Sequence, residues 1–202
     1  MHRVFVSYYH RDDQGYKDAL VKWAKENDVF IDGSVETGDI PDEWDDQKIR
    51  ETIREEYLGD TSVTILLVGP NTRHRKHVDW EIYSSMYDGK KNKKSGIIVV
   101  MLPETNCDSC HIPYANEKKQ IYPEIASWVT VDSRSEYEKR YPDMPERIID
   151  NLMKDDVKIS VTTWNKLTVT NLKMMIDNAY DNRSTQSYDL SRSMRRKNGN
   201  CD

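Results

Sequence analysis

Glycine is scarce in this chain, and the glycine-rich phosphate cradles are missing with it. The 202 residues contain only eight glycines. No GxGxxG follows the first strand-like run and no GxxxxGK[ST] occurs anywhere, which argues against a dinucleotide dehydrogenase and a P-loop NTPase. Cysteine is equally sparse. Cys107, Cys110 and Cys201 form an odd set, unsuited to a disulfide framework and consistent with a reducing, cytoplasmic setting. There is no excess of positive charge. The formal net charge is −5, which disfavours a sequence-independent grip on nucleic acid or anionic lipid. No run approaches the roughly 20 apolar residues that span a bilayer, and Val4-Phe5-Val6 is too short for a secretory apolar region. Neither a membrane nor a nucleic acid is therefore expected as a partner.

What is present alternates between strand and helix signals. Arg3 to Tyr9 is a β-branched and aromatic run, expected as a first strand. Asp12-Asp13 offer N-cap chemistry, and Tyr16, Leu20 and Trp23 recur at helical spacing, predicting a helix over 13–26. Val29-Phe30-Ile31 reads as a short second strand, followed by a loop from Ser34 to Asp42 and a helix from Glu43 to Tyr57. Ser62 to Val68 and Gly96 to Leu102 are continuous apolar runs, as in strands buried on both faces of a parallel sheet. Between them, Val78, Ile82 and Met86 predict a helix over 75–87. Ser127 to Val131 is a candidate last strand, and 145–155 and 169–180 read as helices, with 157–168 ambiguous. The expected fold is α/β, an open, mainly parallel sheet with helices on both faces. Residues 1–132 would form the core and 133–180 a helical extension of it. Residues 181–202, rich in Ser, Asn and Arg, read as a mobile tail.

In such sheets ligands bind beyond the carboxyl ends of the strands. That rule draws attention to Ser7, Tyr8 and Tyr9 after the first strand, and to Asp32 after the second. It also picks out Asn71 and the segment Arg73 to Glu81 after the third. A phospho-receiver would need a carboxylate at the end of the third strand, where this chain has Gly69-Pro70. Cys107-x-x-Cys110-His111 resembles a fragment of a metal site but lacks the paired motif and the fourth ligand, so no metal is expected. The lysines of 90–94 lack interleaved aromatics and read as solvated. His77 and Glu81, four apart, share a helix face, with Glu81 beside the buried stripe and Trp80. Residue chemistry alone favours a solvated helix charge at Glu81, paired with Lys76 or His77, over a poorly solvated functional carboxylate.

Val4-Phe5-Val6-Ser7-Tyr8 resembles the first box of TIR domains. The strand, Gly-Pro-Asn turn and basic stretch running from Ser62 to Val78 and Glu81-Ile82 resembles their next landmark, most nearly as written in the TIR-like subunit of Thoeris anti-phage systems. Where the family often has tryptophan four residues before the glutamate, this chain has His77. The resemblance implies a TIR three-layer sandwich that cleaves NAD as substrate, with no separate cofactor. Glu81 would be the catalytic carboxylate, and Ser7, Tyr8, Tyr9, Asp32, Trp44, Asn71 and His77 would line the substrate site. It implies a cyclic ADP-ribose-type messenger that reaches a separate effector by diffusion, and self-association of the enzyme. An interaction module without catalysis and a nucleoside deoxyribosyltransferase-like enzyme are the competing readings.

Overall fold

The computed structural model describes residues 1–34, 40–41 and 43–199. Most of the expected loop from Ser34 to Asp42, and Cys201, lie outside them. Five parallel strands form one sheet in the order β2-β1-β3-β4-β5: β1 Arg3–Ser7, β2 Ile31–Asp32, β3 Val63–Val68, β4 Gly96–Met101 and β5 Ser160–Thr163. β3 and β4 are buried at every residue, as their unbroken apolar runs require.

Helices cover both faces. Alternate residues of each strand point to opposite sides, so each strand feeds two cores. Val4, Val6, Ile65, Leu67, Ile98 and Val100 meet α1 (His10–Glu26) through Leu20 and Ala24 and α7 (Val169–Asn182) through Leu172, Met175 and Ile176. On the other face Leu66, Val68, Ile97 and Val99 meet Val78, Ile82 and Met86 of α3 (Lys76–Met86) and Ile148 and Ile149 of α6 (Glu146–Leu152). Phe5 joins a neighbouring cluster with Ile49 of α2 (Asp46–Thr52) and with Ile53, in the turn of π-helix that continues it. Two further short helices, α4 (Ala115–Ile121) and α5 (Arg134–Arg140), went unread in the sequence.

Gly96, at the start of β4, has a packing reason. A Cβ there would lie 2.2 Å from the carbonyl oxygen of Ala179, so α7 crosses the sheet at a distance only glycine permits.

The structure corrects three expectations. The second strand starts later than expected, at Ile31, with Val29 and Phe30 leading into it as core residues. Ser127 to Val131 is not a strand. It is irregular, with Val129 at 72% exposure, and the edge strand is instead β5, drawn from the ambiguous region. The expected mobile tail is packed as far as it is described. Met194 is buried, the Tyr188 hydroxyl donates to the carbonyl of Ser95 (3.0 Å), and Trp80 Nε1 donates to the carbonyl of Arg195 (2.7 Å). Residues 186–199 thus form a strap across α3 and α6. Their polar composition conceals it because main-chain hydrogen bonds supplement a few scattered apolar anchors, Tyr188, Leu190 and Met194, in holding it down.

Candidate active site

Strand alternation sorts the candidates at the end of β1. Tyr8 follows Val4 and Val6 into the α1/α7 core, where its hydroxyl donates to Gln14 (2.7 Å) and its ring stacks on His10. Ser7 follows Phe5 to the opposite face, under α3. Its hydroxyl donates to Glu81 Oε2 over 2.7 Å, and both residues are buried. The expectation that Ser7 and Tyr8 flank one site is therefore corrected: the pleat sends them to opposite sides of the sheet.

Glu81 is 3% exposed, in a stretch of α3 that is buried from Val78 to Met86. It is not a solvated charge paired with Lys76 or His77; its side chain bonds to Ser7. Burial pushes its carboxyl up to about 7, against the opposing pull of the Ser7 hydroxyl. This carboxylic acid changes charge near neutral pH with one hydrogen-bond donor to steady it.

The other predicted residues take separate places. Tyr9 lies beneath the Arg75 guanidinium, 4.0 Å from ring centroid to Cζ. Arg75 itself, buried at the N-cap of α3, belongs to the stretch that carries the family resemblance but was not among the expected site residues. Asp32 accepts from the backbone N–H of Ser34 (2.9 Å) and faces Lys17 (3.6 Å), while Ser34 Oγ accepts from the N–H of Val6 (3.0 Å). These bonds tie the loop after β2 to β1. Trp44 packs at the margin of the Phe5 cluster with Lys48 Nζ 3.7 Å above its ring. Asn71 donates to Asp12 (2.8 Å), bridging the turn after β3 to the first turn of α1. His77 is exposed and edge-on to Trp80 at 5.0 Å, so it does not join Glu81. Arg73 donates to the carbonyl of Pro142 (2.8 Å). Of the predicted set, Ser7 is the residue hydrogen-bonded to Glu81.

A second carboxyl, Asp13 of α1, sits buried beneath the turn after β3. It accepts from the Thr72 hydroxyl (3.2 Å), and burial pushes its carboxyl up to about 6. Gly69 makes room for it: a Cβ would fall 2.4 Å from Asp13 Oδ1.

Cys107 donates its thiol to the carbonyl of Arg140 (3.3 Å), and His111 extends the sheet by an antiparallel bridge to Val161. The lysine-rich turn at 90–94 is fastened by Glu55, which accepts from the N–H groups of Lys91 (3.0 Å) and Asn92 (3.2 Å).

The segment holding the first strand, the turn after β3, and α3 with its glutamate is also where the chain matches a family model. Residues 5–107, about half of the chain, match the TIR-like domain of the Thoeris protein ThsB. The chain belongs to the ThsB TIR-like family. It is thus a defence-related TIR domain, and its five-stranded α/β sandwich is the corresponding fold. No curated protein matches it. Among the described residues no helix is long and apolar enough to cross a membrane. The ThsB match ends at Cys107, so α4 to α7, β5 and the strap lie beyond it.

Proposed function

We propose that this TIR domain cleaves NAD at the bond between nicotinamide and ribose, with Glu81 as the catalytic carboxylate. The observation that carries the reading is the pair at the end of β1: a buried glutamate, bonded to Ser7 at 2.7 Å, at the ligand edge of the sheet.

The chemistry needs only one such group. A glycoside hydrolase uses two carboxyl groups because its leaving oxygen must be protonated. The nicotinamide of NAD is already cationic and departs as a neutral ring, so no general acid is required. Breaking the C–N bond places positive charge on the ribose. An ionised carboxylate in a poorly solvated site stabilises that oxocarbenium-like state more strongly than one in water. Ser7 serves by holding the carboxylate in its charged form. The acceptor then fixes the product. Water gives ADP-ribose, whereas an internal hydroxyl or adenine nitrogen gives a cyclic isomer that can diffuse to an effector. The ThsB kinship supports the cyclic product as a messenger in defence, and self-association or an upstream cue as its trigger. Because Glu81 is closed off from solvent, NAD reaches it only when the surrounding residues part. The resting form is therefore the inactive one.

The same burial suits a second reading. In a non-catalytic interaction module, a protonated Glu81 would simply lash α3 to β1 through Ser7. NAD turnover by wild type and Glu81→Gln separates the two, assayed with mass spectrometry of nucleotides in lysate from phage-challenged cells. Loss of NAD and appearance of an ADP-ribose isomer with wild type alone supports the enzyme. Unchanged nucleotides with both proteins, each still folded and self-associating, would establish the module.

A further inference from the structure

One sizeable cavity among the described residues has a lining that does not include Glu81. It measures about 610 Å³ and is lined wholly by residues between Cys110 and Lys158, all beyond the ThsB match. Small-molecule sites typically enclose about 300–1,000 Å³. The C-terminal half of the chain builds it: α4, the irregular segment through Trp128, α5, and the turn leading into β5.

Its lining is aromatic and basic together. Trp128 and Tyr137 contribute ring surface. Lys118, Arg140, Lys154 and Lys158 face two carboxylates, Asp132 and Asp155. Arg140 is engaged by Glu136 (3.0 Å) and Lys154 lies 3.7 Å from Asp156. Lys118 and Lys158 have no carboxylate within ion-pair distance among the described residues. Each ammonium rests near a ring instead, Lys118 at 4.9 Å from Trp128 and Lys158 at 5.5 Å from Tyr114. His111, on the wall, is held neutral: burial first, then Lys118, push it down to about 4. Its Nδ1 lies 3.4 Å from the Tyr137 hydroxyl, so His111 adds a neutral, hydrogen-bonded ring to the wall rather than a third charge. A cavity with ring surface and two cations lacking acidic partners fits a flat ring joined to an anion.

We propose that this cavity binds a small anionic aromatic molecule of the nucleoside monophosphate class, with the base against Trp128 and the phosphate between Lys118 and Lys158. The site is independent of Glu81 and stands whether or not the domain cleaves NAD.

Calorimetric titration of the full chain with 5′-AMP, adenosine and inorganic phosphate tests it. AMP should bind one site, and adenosine or phosphate alone at least about tenfold more weakly, since each loses half of the recognition. Lys118→Gln/Lys158→Gln and Trp128→Ala should each weaken AMP by about tenfold or more, and Glu81→Gln should leave it unchanged. All three altered positions are at least partly exposed, and Lys158→Gln alone, at a fully surface position, serves if the double variant misfolds. Absence of AMP binding to wild type would overturn the proposal. So would undiminished binding by the lysine variants, or loss in Glu81→Gln, which would place the nucleotide at α3.

Discussion

The Ser7 hydroxyl meets Glu81 at 2.7 Å across 74 residues of sequence, joining the end of β1 to the middle of α3. That bond favours the ionised carboxylate, and burial opposes it and prevails. Removing the hydroxyl should therefore push Glu81 further above about 7. A hydrogen bond to a charged group is worth about 1.5–3 kcal/mol, or about one pH unit or more. Under the proposed mechanism NAD cleavage needs the ionised form, so wild-type activity should rise through a midpoint near 7. Ser7→Ala should move that midpoint upward, losing activity at pH 7 and regaining it in alkaline buffer. A pH–rate profile of both proteins checks this. An unmoved midpoint would show that Glu81 does not govern the rate.

Glu81 also links stability to pH. Its folded value is raised, to about 7 from an ordinary 4.5, so between those values the folded protein holds a proton that the unfolded chain releases. Its contribution is zero below 4.5, becomes increasingly unfavourable as pH rises to about 7, and is constant above. Glu81→Gln cannot ionise. The variant should gain on wild type across that window, by at most about 3 kcal/mol. Denaturant midpoints at pH 4.5, 6 and 8 measure it. Asp13, raised to about 6, acts with the same sign but is present in both proteins and cancels.

Arg147, wholly buried, grips Asp79 with two hydrogen bonds of 2.9 and 3.1 Å and donates to the carbonyls of Arg192 (2.9 Å) and Ser193 (3.2 Å). It locks the strap to α3. Arg147→Gln leaves the Asp79 charge without its cationic partner, with the N–H of Arg195 still bonded to it, and should cost about 3–5 kcal/mol. Trypsin should then cut at Arg192, Arg195 and Arg196 well before the rest of the chain. Equal protection of wild type and variant would show that the strap is held elsewhere.

Two glycines should respond in opposite directions to alanine. Gly96→Ala drives a methyl into the backbone of Ala179, 2.2 Å away, and should destabilise by about 1–3 kcal/mol or more. Gly15 lies within α1 with nothing within 4 Å of a new Cβ. Gly15→Ala should stabilise by about 0.5–1 kcal/mol through helix propensity. Thermal melts of the two variants suffice.

The sequence made legible what hydrophobic pattern encodes. β1, β3 and β4 and the helices α1, α3 and α7 announce themselves by apolar runs or by 3.6-residue stripes, whereas Glu81 stood out only through the family resemblance, since residue chemistry alone favoured a solvated charge there. β5 did not, because Ser160-Val161-Thr162-Thr163 is mostly polar. Its polar side chains are satisfied internally: Ser160 donates to buried Glu117 (2.6 Å), and Thr162 and Tyr122 share a hydrogen bond (2.9 Å). Trp128-Val129 misled in the opposite sense, as apolar residues that stay near the surface. The strap was hidden because many of its anchors are main-chain groups, which every residue carries, and its apolar anchors, Tyr188, Leu190 and Met194, show no helix or strand period. The partner of Glu81 was within reach of sequence reasoning. Counting alternation from Phe5 gives Ser7, not Tyr8, the face beneath α3.

The closed state of Glu81 bears on any molecule meant to bind there. A ligand for that carboxylate finds only the fraction of molecules that happen to be open, and its apparent dissociation constant is the intrinsic one divided by that fraction. If one molecule in about a hundred is open, a compound with micromolar intrinsic affinity registers near 0.1 mM. Whatever opens the domain would strengthen every such compound by the same factor. Under the proposed mechanism, inhibitors screened against the closed form would be undervalued together, in their true rank order.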